Sequence, residues 1–133
     1  MIFVDSSFWI ALSSGSDAWR EEAAALLSKF GSNRLVTSNH VRGESWTFVN
    51  RRYGHRAAVG LLDRLQSGAR VQIEHVSPRL EEEALRWLRD RAEREYSFVD
   101  ATSFALMRSL RIRDAFAFDG DFSAAGFVEL RAS

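Results

Sequence analysis

The chain has 133 residues, 46% hydrophobic and 27% charged, with 18 basic and 18 acidic side chains and no cysteine. That length makes one domain, residues 1–133, burying roughly 68% of its unfolded surface and so needing no staples; the composition excludes a disordered or fibrous chain. The missing cysteines exclude disulfide frameworks, thiol catalysis and thiolate zinc sites, and zero net charge does not by itself mark a nucleic-acid binder.

Short apolar runs alternate with helical stretches, which predicts an α/β fold: a central, mostly parallel sheet flanked by helices. Ile2–Val4 reads as a first strand and Ser6–Ser13 as a short helix. Trp19, Ala23, Leu26, Leu27 and Phe30 fall on one stripe of a helix from Asp17 to Phe30, closed by Gly31. Arg34–Thr37 is a second strand, and Ser38 caps a helix from Asn39 to Tyr53. Gly54 ends that helix and another runs from His55 to Gln66. Arg70–Val76 alternates as a half-buried strand. Ser77 and Pro78 start a helix expected to reach Glu95, with Glu82–Arg86 and Asp90–Arg94 pairs on its solvated face. A helix over Phe98–Leu110, a strand over Ala115–Phe118, a helical turn over Asp121–Ala125 and a strand over Phe127–Leu130 complete the chain.

Four acids stand apart from the surface acids. Asp5 directly follows the first strand, at the sheet edge where open α/β sheets bind ligands, and it is equally well placed to cap the next helix. Glu44 shares a helix face with Val41 and Phe48, where a carboxylate is costly unless paired or metal-bound; Arg51 and Arg52 are its alternative partners. Asp100 shares a face with Ser103, Phe104 and Met107, and with Ser97 it also spells a capping box. Asp119 ends the fourth strand as Asp5 ends the first. Asp121 follows two residues later, so one of the two caps the short helix and Asp119 is favoured for the sheet edge. Clustered carboxylates repel unless protonated or neutralised by a cation. An oxygen-only set, without cysteine or paired histidines, suits Mg²⁺ or Mn²⁺ and with it phosphoryl chemistry.

In order and spacing, VDSSFWIAL with Asp5 and Ser6, VRGESWTF with Glu44 and Thr47, SFVDATSFAL with Asp100 and Ser103, and FAFDGDF with Asp119 and Asp121 resemble a PIN domain. More specifically, the chain resembles the VapC-like ribonuclease toxins of bacterial toxin–antitoxin pairs, and the resemblance covers nearly the whole chain. It implies a PIN-like α/β/α sandwich and metal-dependent cleavage of single-stranded RNA by an activated water. By the same resemblance Asp5, Glu44, Asp100 and Asp119 hold or position Mg²⁺ or Mn²⁺. Asp121 is an auxiliary acid or metal ligand, and Ser6 and Ser103 are hydroxyls behind the ligands. A Thr or Ser often stands two residues before the last Asp, and here Ala117 does.

The implied partners are an RNA substrate, an antitoxin chain that plugs the acid site, and a second copy of this chain. Arg42, Arg51 and Arg52 either steer RNA or form surface ion pairs. Trp9, Trp46 and Phe122 lie near the acids and serve either as core or as stacking surfaces. The alternatives are a non-catalytic binding module of the same fold and an RNA-processing nuclease outside any toxin pair. The amino end, Met1–Ser14, lacks a basic leader and is interrupted by Asp5, and no run of ~18 apolar residues occurs, so a cytoplasmic protein with no membrane segment is expected.

Overall fold

A computed structural model describes residues 1–68 and 70–133. Five strands form one sheet: β1 (Ile2–Val4), β2 (Leu35–Ser38), β3 (Val71–Glu74), β4 (Asp114–Phe116) and β5 (Val128–Glu129), ordered β3-β2-β1-β4-β5. Every pairing is parallel. Among the described residues seven helices flank it: α1 (Ser6–Leu12), α2 (Arg20–Lys29), α3 (Asn39–Tyr53), α4 (His55–Ser67), α5 (Pro78–Arg89), α6 (Phe98–Leu110) and α7 (Asp121–Ala124). The α/β expectation holds, and the sheet is wholly rather than mostly parallel.

Parallel sheets are covered on both faces, which is why β1 and β2 read as unbroken apolar runs and are buried at every position. An aromatic cluster carries much of the core. Phe104 of α6 lies 4.9 Å from Phe122, 5.3 Å from Trp87 and 5.4 Å from Phe127, and Phe8 stacks on Phe116 at 4.7 Å. Trp9 and Phe122 belong to this core, 2% and 0% exposed, and Trp46 is half-buried edge-on to His55.

The caps work as their residue types dictate. Ser38 Oγ accepts from the Val41 backbone N–H at 3.0 Å and is fully buried. Gly54 sits at φ +95°, which lets one glycine end α3 and begin α4. Replacing Ser38 by Ala should lower stability by about 1 kcal/mol, seen as a Tm lower by ~4 °C in thermal unfolding. An unchanged Tm would mean that the cap does not hold α3.

Several boundaries differ from the sequence reading, β3 ending at Glu74 rather than Val76 among them, and three of the differences have a clear cause. Helix α2 begins at Arg20, because Asp17 Oδ1 accepts from the Trp19 N–H at 2.8 Å and turns the chain first. Helix α5 stops at Arg89 rather than Glu95. Its apolar stripe ends at Leu88, the residues that follow are charged, and Tyr96 folds back onto Trp87 at 4.7 Å. The Asp90–Arg94 helical pair therefore does not exist. Strand β4 ends at Phe116, because the Phe118 N–H donates to Ser7 Oγ at 3.2 Å instead of continuing the ladder.

Candidate active site

The strand order reverses direction at β1, with β2 on one side and β4 on the other. In open parallel sheets the crevice beyond the carboxyl ends at such a point is where ligands bind. Asp5 leaves β1 there, and the chain leaves β4 toward Asp119 there.

Asp5 is 1% exposed. Its Oδ2 caps α1, accepting from the Ser7 N–H at 3.2 Å and from Ser7 Oγ at 2.8 Å. Its Oδ1 is buried with no hydrogen-bond partner. The capping role open to this residue in the sequence is thus filled by one oxygen, and the other is left without a partner. Burial, then the charge of Asp119, push its carboxyl up to about 8 against the Ser7 hydrogen bonds, with Asp100 adding to the rise.

Asp100, 7% exposed, is the third helical residue of α6. The capping box is formed in full: Ser97 Oγ accepts from the Asp100 N–H at 2.9 Å, and Asp100 Oδ2 accepts from the Ser97 N–H at 3.1 Å. Burial first, and then the Asp121 and Asp119 charges, raise its carboxyl to about 6. One helical turn on, Ser103 is fully buried and its Oγ also has no partner.

Asp119 is an exposed residue whose carboxyl is partly enclosed. That enclosure, then Asp121 and Glu129, raise it above the ordinary carboxylate range. Its Oδ1 accepts from the Asp121 N–H at 3.3 Å. The N-cap of α7 is Gly120, at φ +84°, so neither acid caps that helix in the way expected. Asp121 is instead paired with Arg94, whose Nε donates to its Oδ1 at 2.6 Å and whose Nη2 donates to the Asp119 carbonyl at 3.1 Å. Of the two acids, Asp119 is the one whose carboxylate has no cation partner among the described residues.

Glu44 sits apart from this mutual repulsion. The buried stripe of α3 is Val41, Ser45 and Val49, while Phe48 is 43% exposed, so Glu44 lies at the stripe's margin and not inside it. Its Oε1 accepts from Ser6 Oγ at 2.7 Å, not from Arg51 or Arg52. This bond ties α3 to the residue next to Asp5. Glu44 opens onto a groove lined by His40, Thr47, Phe48, Arg51 and Arg52, whereas Arg42 lines a different hollow with Val59 and Ile73.

Two residues escaped the sequence reading. Glu129 accepts from the Gly120 N–H at 3.3 Å with Oε1 and from the Ser123 N–H at 3.0 Å with Oε2, and so fixes the Asp119–Asp121 turn. Arg94 clamps the same turn from the other side. Glu129 could have been flagged as an acid inside a short strand; Arg94 carried no local signal.

Among the described residues no three acidic or imidazole side chains are drawn together into a ready-made metal cage. The donor set nevertheless fits a hard divalent cation. It is all oxygen, Asp5 Oδ1 and Ser103 Oγ are buried without partners, and burial with mutual repulsion raises the proton affinity of Asp5 and Asp100, a cost of ionisation that a cation would offset. Mg²⁺ in particular takes few carboxylates and keeps several waters.

A PIN-domain family model matches residues 2–128, and the chain belongs to the PIN-domain family. Within it, the chain is 56% identical over 131 residues to 23S rRNA-specific endonuclease VapC20 of Mycobacterium tuberculosis, in both the CDC 1551 / Oshkosh and H37Rv strains, covering 98% of each chain. The crystal structure of Mycobacterium tuberculosis VapC20, described as a sarcin–ricin loop cleaving toxin, superposes with a TM-score of 0.93 at 54% identity, over 98% of this chain and 99% of that one.

Proposed function

We propose that this chain is a divalent-metal-dependent endoribonuclease toxin that hydrolyses 23S rRNA within the sarcin–ricin loop. The observation that carries the reading is Asp5: a buried carboxyl at the end of the central strand, with one oxygen unpartnered and two further acids raising its proton affinity. The near-complete match to VapC20 supports the RNA substrate. An antitoxin chain, a second copy of this chain and a cytoplasmic location go with it; no helix among the described residues is long and apolar enough to cross a membrane.

In this mechanism Asp5, Asp100 and Asp119, deprotonated, would hold Mg²⁺ or Mn²⁺, and that cation when bound would supply a more acidic attacking water and stabilise charge on the phosphate. Asp5 keeps Oδ2 on its cap and offers Oδ1. Glu44, fixed by Ser6, faces the rim from α3 and positions the attacking water. Arg94 neutralises Asp121, leaving Asp119 free, and Glu129 holds the intervening turn. Ser103, one turn on from Asp100, would offer its unpartnered hydroxyl to the same site.

Purified protein incubated with deproteinised 23S rRNA and Mn²⁺ should yield one break, mapped by primer extension to the sarcin–ricin loop, and EDTA should abolish it. An intact loop at equimolar protein would overturn the proposal.

A further inference from the structure

Trp19 serves neither a helix nor the core. It occupies the N-cap of α2 and makes no side-chain capping bond, at a position where Ser, Thr, Asp or Asn is preferred. It is also 40% exposed, off the buried stripe where its spacing from Ala23 had placed it.

The ring is nevertheless fixed. It stacks on Phe118 at 4.6 Å with the two planes 4° apart. The Arg131 guanidinium lies 5.1 Å from Trp19 and 5.2 Å from Phe118. Arg131 is itself committed to the scaffold, donating to the Ala117 and Leu130 carbonyls at 2.8 Å. The Trp19 backbone N–H is held by Asp17, whose other oxygen accepts from Tyr53 of α3.

The stack is wired to the acid site. The Phe118 N–H donates to Ser7 Oγ, and Ser7 Oγ donates to Asp5 Oδ2. Phe118 also directly precedes Asp119. An exposed, immobilised indole therefore stacks on the residue that directly precedes Asp119, one ring away from the backbone that carries the acids.

We propose that Trp19 is a stacking platform for an unpaired RNA base beside the bond to be cut, and so a substrate-positioning residue. This rests on the ribonuclease reading above. RNA loops are recognised by splaying bases onto aromatic faces, and a ring already locked in place loses little freedom when a base settles on it. Trp19 then selects for unpaired nucleotides at the site, because a base within a duplex has no free face to offer.

The test uses the full chain and a hairpin oligoribonucleotide carrying the sarcin–ricin loop sequence. Trp19→Ala should raise KM between about 5- and 150-fold with kcat nearly unchanged. Trp19→Phe should restore most of the loss in KM and Trp19→Leu little; a purely structural stack on Phe118 would show instead as a lower Tm with KM unchanged. With 2-aminopurine next to the mapped bond, emission should be quenched on binding to an Asp100→Asn protein and not to the Asp100→Asn, Trp19→Ala double variant. Should Trp19→Ala fail to fold, the Phe and Leu variants decide. Failure of the wild type to cleave the hairpin removes the ribonuclease reading and this inference together. Cleavage by the wild type, with equal KM for Phe and Leu and equal emission, overturns this inference alone, whether the ring then serves a protein contact or none.

Discussion

Asp5→Asn should lower RNA cleavage by about 10³-fold or more, the loss expected when a metal-holding acid is neutralised. The same substitution should make the metal-free protein more stable at pH 8, by about 2 kcal/mol. The two signs come from one feature. In the folded chain the Asp5 carboxyl is buried, has an unpartnered oxygen and faces Asp119 and Asp100. Ionising it there is unfavourable, whereas in the unfolded chain it ionises freely. Asn removes the charge that burial penalises and with it the charge that a cation needs. Endpoint cleavage assays and thermal melts in EDTA at pH 8 read the two effects. A variant that is inactive and also less stable would mean that Asp5 is a structural cap only.

Metal-free protein should lose stability as pH rises, and Mn²⁺ should reverse that trend. Asp5 is raised to about 8 and Asp100 to about 6, both from 3.8. Between pH 4 and 8 the folded chain therefore holds more protons than the unfolded one, and the slope of stability against pH is negative. The stabilisation is complete below pH 4 and is lost as pH passes first through 6 and then through 8, a fall of a few kcal/mol. Mn²⁺ binds the deprotonated acids, so at pH 8 a concentration 100-fold above its Kd adds about 2.7 kcal/mol. Its uptake should release protons, visible by calorimetry in buffers of different ionisation enthalpy. Melting curves at pH 5.5 and 8, with EDTA and with Mn²⁺, test this against an Asp5→Asn, Asp100→Asn control, which should keep only the shallower slope left by Asp119. A wild type as flat as that control would show that the acids are not coupled as described.

Much of the site could be read from the chain because it is written locally. Ser38 and Ser97 announce the starts of α3 and α6, so both helices fall where periodicity puts them. Ser103 lies one turn from Asp100 and is legible by spacing alone. Asp5 and Asp119 follow apolar runs, and a parallel sheet brings such ends to one rim. What the chain hides is tertiary. Charges spaced i,i+4 carry the helical pattern past Leu88, but only an apolar face can hold a helix on the core, and α5 stops where that face does. The hold of Arg94 on Asp121 spans 27 positions, and that of Glu129 on Gly120 depends on how β5 docks. Trp19 fits an apolar stripe by arithmetic, yet the turn at Asp17 removes it from the helix.

The pairing of β1 with β4 sets Phe3 against Ala115 and Val4 against Phe116. The first strand made is thus completed by one of the last. During synthesis at about 5–20 residues per second, a nascent chain carries Asp5 for several seconds before Asp119 has been translated. Long-range parallel pairing is intrinsically slow to form, which lengthens that interval. The acid cluster at the sheet's edge is therefore incomplete while most of the chain is still being made.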